Sequence, residues 1–436
     1  MNPLLEVANT PELASQSVWA YLADHLDTIQ LLHFFLISYL ISRLFVRYKL
    51  PERFVFWVFE EKHISLSKLI LIIMLSTAAL SMVIANVITL LAILPVILLV
   101  QSELQGTEKE KKKLSTLIIL SAMWGANIGG IGMLTGTTAN GVFVGMLGGY
   151  AFETRHSFSF ISWMTWAIPL AMLLCFCGWL ILKAVFHPVR QLSVANIRQQ
   201  LEQNSVTPKV QKIVLALAGF FLVSTALLSY LMGQFWELRV SIYAVEAVWT
   251  VVFILLLFVI PFRLKPGTKG SPLLATADVL RDLPKRGLLW ILIGMTVTGI
   301  LYLAGMPAIL ANALSSWVRA DSSILLLMLL ITLATIFFSE ILSNLVVQIA
   351  LFATLFPLSA GYPDLSWQML LIITLATSCA FMSPIGTQVN GLGFGASRKI
   401  SLPYMLGAGF LMNLVSATLI TIWVHFVVPI VLKWYA

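Results

Sequence analysis

The stretch SMVIANVITLLAILP, residues Ser81 to Pro95, places three polar side chains inside an apolar run that covers residues 65–100. A second phrase, SEILSN at residues 339–344, repeats the order Ser-x4-Asn inside the apolar run 323–358. Each run is much longer than the about 20 residues of one membrane-spanning helix. The sequence therefore predicts two re-entrant helical hairpins, whose polar tips lie at mid-membrane depth beside a cavity and away from lipid.

The composition around these runs is that of a membrane protein. Of the 436 residues, 59% are hydrophobic and 11% are charged, against about 25% charged in an average soluble domain. The three cysteines lie in apolar runs without the spacing of a metal or disulfide site. We expect an all-α, multi-pass protein in which residues 1–28 form an amphipathic surface segment. Single spans are predicted at 30–47, 115–150, 160–185, 210–232, 241–262, 287–307, 367–395 and 404–432.

The distribution of the basic residues predicts the orientation. Most of the 27 Lys and Arg residues fall on one side if the two hairpins enter and leave on the same face. The positive-inside rule makes that side cytoplasmic and puts both termini outside. The net charge of +8 therefore belongs to loops and does not indicate a nucleic-acid partner. Because an odd number of spans separates the hairpins, they enter the membrane from opposite faces.

A second motif repeats behind each hairpin. Gly-Thr-x-x-Asn occurs at Gly136, Thr137 and Asn140, and again at Gly386, Thr387 and Asn390. Each unit reads as hairpin, interrupted helix and final span, which predicts an inverted repeat of the kind found in secondary transporters. The predicted domains are 1–64 (amphipathic segment and first scaffold span), 65–185 (first repeat, transport domain), 186–307 (middle scaffold spans) and 308–436 (second repeat, transport domain).

The chemistry of an interrupted membrane helix explains these residue types. A break frees backbone carbonyls that a cation can satisfy, and a helix N-terminus attracts an anion. Asn offers both a donor and an acceptor. Taken singly, a membrane Ser can bond back to its own helix and an Asn can join two helices, but the recurrence favours a binding site. Further candidates are Thr89, Asn140, Ser343, Asn390 and Glu340, whereas Gly141, Gly145 and Gly149 suggest close helix packing.

The four motifs resemble those of the divalent anion/sodium symporter family, whose members carry dicarboxylates, citrate or sulfate. The second half is the more similar, in SEILSN and in GTQVNGLGFGASRKISLPYMLGAGFLMNL. The resemblance implies a homodimer, an elevator motion, a small anionic substrate, Na⁺ as coupling ion and no organic cofactor. It implies a first sodium site at Ser81, Asn86 and the Gly136 carbonyl, and a second at Ser339, Asn344 and Gly386. It implies substrate contacts at Asn86, Thr137, Asn344 and Thr387.

The sequence also departs from the family pattern. The Ser-Asn-Thr tips of the family are Ala85-Asn86-Val87 and Ser343-Asn344-Leu345 here, so both threonine hydroxyls are replaced. This favours a smaller or less polar anion than a C4-dicarboxylate. The family has more spans before the first hairpin than the one predicted at 30–47, so we expect a shortened or rebuilt scaffold there.

We expect sodium-coupled anion transport in a bacterial inner membrane. The alternatives are a proton-coupled carrier or an exchanger that uses Glu340, and a non-transporting sensor or partner subunit. No pairing of nucleophile and base, or of acid and base, predicts an enzyme.

Overall fold

The structure is a computed structural model that describes most of the chain. The described residues are 26–50, 63–134, 136–149, 157–188, 191–193, 208–235, 238–262, 270–280, 284–306, 309, 323–358, 363–397 and 400–435. The predicted amphipathic segment at 1–28 lies almost entirely outside them.

Helices dominate the described residues, as the sequence predicts. They are α1 Leu26–Arg47, α2 Leu66–Val83, α3 Asn86–Ser102, α4 Glu108–Gly132, α5 Thr138–Gly149, α6 Phe160–Phe186, α7 Pro208–Gln234, α8 Arg239–Phe258, α9 Thr276–Leu280, α10 Lys285–Leu303, α11 Ile324–Ser339, α12 Asn344–Leu358, α13 Pro363–Thr377, α14 Gln388–Ala396, α15 Leu402–Ile422 and α16 Val428–Leu432. Within the described residues, six helices are long and apolar enough to cross a membrane: Leu66–Val83, Glu108–Gly132, Ile161–Phe186, Ser241–Phe258, Lys285–Leu303 and Leu402–Leu432. A helical membrane protein is therefore confirmed.

One short strand pair interrupts the helical architecture. Strand β1 (His63–Ser65) pairs antiparallel with β2 (Gln191–Ser193), with Ile64 opposite Leu192. Ser65 then caps α2, because its hydroxyl accepts a hydrogen bond from the N–H of Lys68. The expectation of an all-α chain is thus correct except for these short segments.

Both predicted hairpins are two helices joined by a short non-helical tip. Residues 84–85, the first tip, separate α2 from α3, and residues 340–343, the second tip, separate α11 from α12. Both interrupted helices are also present. The first break lies between α4 and α5 and includes the described residues 133, 134, 136 and 137, and residues 378–387 form the second break, between α13 and α14. The polar motifs therefore coincide with the ends of helices.

The chain divides into two compact units. One unit comprises residues 1–50 and 205–281, and the other comprises 51–204 and 282–436. The second unit contains both hairpins and both breaks, and it also contains α10, which the predicted domain boundaries assign to the middle scaffold spans. The roles of scaffold and transport domain stay a prediction.

The smaller unit is held together by polar contacts at the C-terminal end of α1. Arg47 forms an ion pair with Asp278 of α9, and Arg43 Nε donates to the Asp278 carbonyl at 3.1 Å. Gln211 of α7 donates to the Tyr48 carbonyl at 3.0 Å. These contacts tie α1 to α7 and α9.

In the larger unit, each hairpin packs against the interrupted helix of the other half. Helix α3 lies against α14, and α12 lies against α5. Within each half, α2 packs closely on α4 and α11 packs on α13. The two halves therefore interlock, and their breaks come to lie in one core.

Glycines permit the closest of these contacts. A Cβ on Gly129 of α4 would lie 2.7 Å from Ala78 Cα of α2, and one on Gly395 of α14 would lie 2.5 Å from the carbonyl carbon of Arg286, next to the start of α10. By contrast, a Cβ on Gly141 or Gly145 would meet no described atom within 4 Å. The prediction of close helix packing at these two glycines was wrong, because the spacing identifies a small-residue face without showing that another helix covers it.

The last helix contains an irregular turn. Residues Trp423–Val427 form a π turn between α15 and α16, just before Pro429, which has no N–H to donate. After this turn, Val428, Val431 and Leu432 are buried, and α16 packs against α6.

Candidate binding site at two helix breaks

The two breaks are held by the same set of hydrogen bonds. Asn140 Nδ2 donates to the carbonyls of Gly130 and Met133, at 3.0 and 2.9 Å. Asn390 Nδ2 donates to the carbonyls of Ala380 and Ser383, at 2.8 and 2.9 Å. In both halves the acceptors lie ten and seven residues before the asparagine. Each asparagine thus satisfies carbonyls that the interrupted helix leaves without a helical partner.

The threonine of each motif begins the helix after the break. Thr387 is the N-cap of α14, and its hydroxyl accepts from the N–H of Asn390 at 3.0 Å. Thr137 accepts from the N–H of Asn140 at 3.3 Å. Gly-Thr-x-x-Asn therefore encodes a capped helix start whose asparagine side chain reaches back across the break.

Three oxygen atoms lie close together beside the first tip. Ser81 Oγ lies 2.8 Å from Asn86 Oδ1 and 2.7 Å from the Ala126 carbonyl of α4. One hydroxyl proton can serve only one of these two acceptors at a time. A Cβ on Gly130 would lie 2.6 Å from Asn86 Oδ1, so the glycine makes room for the amide. This cluster of neutral oxygens suits a hard cation.

Beside the second tip, the two corresponding side-chain oxygens have no partner among the described residues. Ser339 Oγ and Asn344 Oδ1 are buried atoms without a hydrogen bond to any described residue. A Cβ on Gly386 would lie 3.1 Å from the Ser339 carbonyl and 2.9 Å from Glu340 Oε2. The predicted residues Ser339 and Gly386 are therefore neighbours, and the orphaned oxygens fit an oxygen-coordinated cation such as Na⁺.

Glu340 forms the most polar contacts of the second tip. Its carboxylate accepts from the N–H of Met382 at 2.8 Å, from the N–H of Ser383 at 2.6 Å and from Asn413 Nδ2 at 2.7 Å. Asn413 Oδ1 accepts in turn from the N–H of Phe381 at 3.2 Å. Glu340 and Asn413 thus bind the backbone of the second break.

Two amides connect the halves. Asn127 of α4 donates to Asn390 Oδ1 at 3.1 Å and approaches Thr387 Oγ1 at 3.5 Å. Gln348 of α12 donates to the Ala139 carbonyl of α5 at 2.8 Å. Helices that flank the two breaks are therefore joined by direct hydrogen bonds between the halves.

The remaining predicted residues lie nearby with local partners. Thr89 Oγ1 donates to the Ile84 carbonyl at 3.2 Å, which stabilises the first tip. The backbone N–H of Ser343 donates to Thr298 Oγ1 of α10 at 2.9 Å. The functional roles of these and of the other predicted residues stay predictions.

Helix α3 presents a free N-terminus at the first tip. Its N-cap is Ala85, which has no side-chain acceptor, so the first N–H groups of the helix remain without a capping partner. Asn86 is the first residue of this helix and is half-buried. A helix N-terminus of this kind can bind an anion without a basic side chain.

The sequence interpretation did not single out Asn127, Asn413, Gln348 or Thr298. Asn127 stands two residues before the Gly129-Gly130 pair in an apolar run, and Asn413 lies in the phrase AGFLMNL. In both cases, a polar amide alone in an apolar helix was the sequence feature that could have indicated a role in the site. Their partners could not be predicted, because each contact depends on how distant helices pack.

Known proteins resemble this chain over most of its length. The sodium-dependent dicarboxylate transporter SdcS of Staphylococcus saprophyticus is 26% identical, over 91% of this chain and 76% of that protein. The transporter of the same name from Staphylococcus aureus, strain bovine RF122, is 27% identical over the same shares. A family model described as the sodium:sulfate symporter transmembrane region matches residues 4–434. With six apolar helices among its described residues, the chain is an integral membrane protein that belongs to the sodium:sulfate symporter family.

Proposed function

We propose that the protein imports a small dicarboxylate-, citrate- or sulfate-like anion together with Na⁺, across a bacterial inner membrane. The family membership and the names of the relatives support sodium-coupled anion transport. The proposal includes the two re-entrant hairpins, the inverted repeat, a homodimer and an elevator motion of the transport domain. The sequence features behind these finer points are the doubled motifs and the opposite predicted orientations of the hairpins.

The observation that carries the proposal is the recurrence of one hydrogen-bond set at both breaks. Asn140 and Asn390 satisfy equivalent carbonyls, and a Ser-x4-Asn tip lies beside each break. Two structural repeats that each interrupt a helix at such a point support a substrate site between them. An asparagine that only joined two helices would not need this repetition.

The cations and the anion would use different groups beside the two tips and breaks. Ser81, Asn86 and the Gly136 carbonyl would hold one Na⁺, and Ser339, Asn344 and Gly386 would hold the other. The uncapped N-terminus of α3 and the side chains of Asn86, Thr137, Asn344 and Thr387 would face the anion. The amide of each tip asparagine can serve a cation through its oxygen and an anion through its N–H groups.

The direct test is uptake into liposomes that contain the purified protein. An inward Na⁺ gradient should drive accumulation of a labelled dicarboxylate, citrate or sulfate, and choline in place of Na⁺ should abolish it. Asn86→Ala and Asn344→Ala should each lower uptake at least tenfold, because each removes a shared ligand. Gly145→Ala is the matched control, since its new Cβ meets open space and should leave uptake unchanged.

The same assay separates the alternatives. Uptake that follows a proton gradient and ignores Na⁺ would replace sodium coupling by proton coupling. Uptake that requires only an anion inside the liposome would identify an exchanger. Anion-dependent thermal stabilisation with no flux under any gradient would identify a sensor or partner subunit.

A further inference from the structure

The two cation sites of the proposed function differ at one position. The residue after the serine of each Ser-x4-Asn tip is Met82 in the first half and Glu340 in the second. Met82 approaches Gly132 with its thioether, at 3.0 Å from where a Cβ of that glycine would lie. In the second half, Glu340 brings a carboxylate to Met382, the residue that corresponds to Gly132.

The interrupted helices also end at different points. Aligned by Gly-Thr-x-x-Asn, Gly132 corresponds to Met382, yet α4 continues to Gly132 whereas α13 ends at Thr377. The second half therefore frees N–H groups that the first half keeps inside a helix. Glu340 accepts the N–H of Met382 and Asn413 accepts that of Phe381. Glu340 also accepts from the N–H of Ser383, whose counterpart Met133 is the C-cap of α4.

The hydrogen bonds around Glu340 come from donors. Two backbone N–H groups, those of Met382 and Ser383, and the Asn413 amide donate to its carboxylate. Glu340 is 5% exposed, and none of the described Lys, Arg or His residues forms an ion pair with it. A buried charge at membrane depth is costly unless an opposite charge comes close to it.

Two side-chain oxygens of the same Ser-x4-Asn motif lack partners among the described residues. Ser339 Oγ, on the residue before Glu340, and Asn344 Oδ1 have no hydrogen bond to a described residue. The Ser339 carbonyl and Glu340 Oε2 both lie about 3 Å from the position that a Cβ of Gly386 would occupy. Hydroxyl, amide, carbonyl and carboxylate oxygens together are the ligands of a hard cation.

We propose that Glu340 supplies the fixed negative charge of the second cation site. This site therefore binds its cation more tightly than the neutral first site does, and it fills first. The inference rests on the proposed function, because it concerns the Na⁺ sites assigned there. It implies that one bound Na⁺ neutralises a charge of the protein, whereas the other enters a neutral cluster and balances the anion. The two cations of a transport cycle are then unequal.

The test measures thermal unfolding of the purified full-length protein in detergent against NaCl concentration, with choline chloride holding ionic strength constant and no anionic substrate. Wild type should be stabilised by Na⁺. Glu340→Gln should raise the Na⁺ concentration for half-maximal stabilisation at least tenfold. Glu340→Asp should keep it within threefold, because the charge remains, although the melting temperature itself falls. Met82→Gln is the matched control in the first half and should not move the Na⁺ midpoint.

Each outcome decides between readings. If Na⁺ stabilises wild type and Glu340→Gln alike, Glu340 only supports the break and the inference is wrong, while the proposed function stands. If Asp moves the midpoint as far as Gln, position and not charge matters, and the inference is again wrong. If Na⁺ does not stabilise wild type, the sodium coupling of the proposed function itself fails.

A gain-of-charge variant gives an independent arm. Met82→Glu adds a carboxylate beside the neutral first site, and it should lower the Na⁺ midpoint at least threefold. An unchanged midpoint in folded Met82→Glu would contradict the inference, even where Glu340→Gln does not fold.

Discussion

At the scale of single residues, the polar side chains of the larger unit fall into two groups. Some form hydrogen bonds within their own helix, and others form hydrogen bonds to a different helix. Ser76 and Thr77 donate to carbonyls four residues earlier in their own helix, at 2.5 and 2.6 Å. Ser81, one turn further along, instead contacts Ala126 of another helix and Asn86 across the tip. A hydrogen bond back to the same helix, the ordinary role of a membrane serine, therefore accounts for Ser76 but not for Ser81.

The asparagines of the breaks should be important for stability. In Asn140→Ala or Asn390→Ala, the buried carbonyl of Gly130 or Ala380 loses its side-chain donor, whereas the Met133 and Ser383 carbonyls keep the N–H groups of Gly136 and Gly386. An unsatisfied buried group costs about 1–3 kcal/mol in soluble proteins. We expect a lower melting temperature in detergent for both variants. The fall should be larger for Asn390→Ala, because Asn127 also loses its acceptor. Equal melting of wild type and Asn390→Ala would contradict the geometry of the second break.

The contact between Asn127 and Asn390 should appear in a double-mutant cycle. Polar pairs in membrane proteins couple by about 0.6 kcal/mol on average and at most by about 1.7. Alanine at both positions should give a coupling in this range, measured from unfolding in denaturing detergent. The pair Asn127 and Asn140 has no direct hydrogen bond and should couple by less than about 0.5 kcal/mol. Equal coupling in both pairs would refute a specific contact between the halves.

At the scale of elements, close helix packing and open helix faces should respond oppositely to one methyl group. Gly129→Ala pushes a Cβ into the backbone of α2 at Ala78 and should cost about 1–3 kcal/mol, as overpacking does. Gly145→Ala meets open space and should keep or slightly raise the melting temperature, because Ala favours helix over Gly. A thermal shift assay on the two variants measures the difference. Equal losses would mean that the exposed face of α5 is covered.

The elements could be predicted from the sequence more completely than their contacts. Apolar runs too long for one span, each with a central Ser-x4-Asn, indicated the hairpins, and Gly-Thr-x-x-Asn indicated the helix starts after the breaks. The length of the second break could not be predicted, because α13 ends early only where Glu340 and Asn413 accept its free N–H groups. That arrangement depends on residues more than thirty positions away in the chain.

At the scale of the whole molecule, the charge distribution predicts which ends face the cytoplasm. Lys109 lies in the first turn of α4, on the predicted cytoplasmic side, whereas Trp434 follows the last helix on the predicted outer side. In a chain whose three cysteines are replaced by alanine, Trp434→Cys should react with a membrane-impermeant maleimide in intact cells. Lys109→Cys should react only after the cells are opened. The reverse pattern would invert the topology, and labelling of both in intact cells would reject it.

The assignment of helices to the two compact units was the hardest feature to predict. Hydropathy assigned α10 to the middle spans, yet its contacts with α14 place it in the unit of the two breaks. Glycines at Gly287 and Gly395 allow that approach, and the local sequence around them does not identify the partner helix. Long-range packing decides such membership, and a pattern confined to one helix carries no information about its partner.

The π turn at Trp423–Val427 makes the final helix tolerant of a one-residue change in length at this point. The wide turn absorbs one residue more than a regular helix would hold, so the helical segments on either side of it stay in phase. Deleting a single amino acid inside the turn would close it into regular helix and leave Val428, Val431 and Leu432 on nearly their present faces. A deletion in the regular helix α15 would instead turn every later side chain by roughly 100°. A one-codon deletion within residues 423–427 should therefore disturb this terminus less than the same deletion one or two turns earlier.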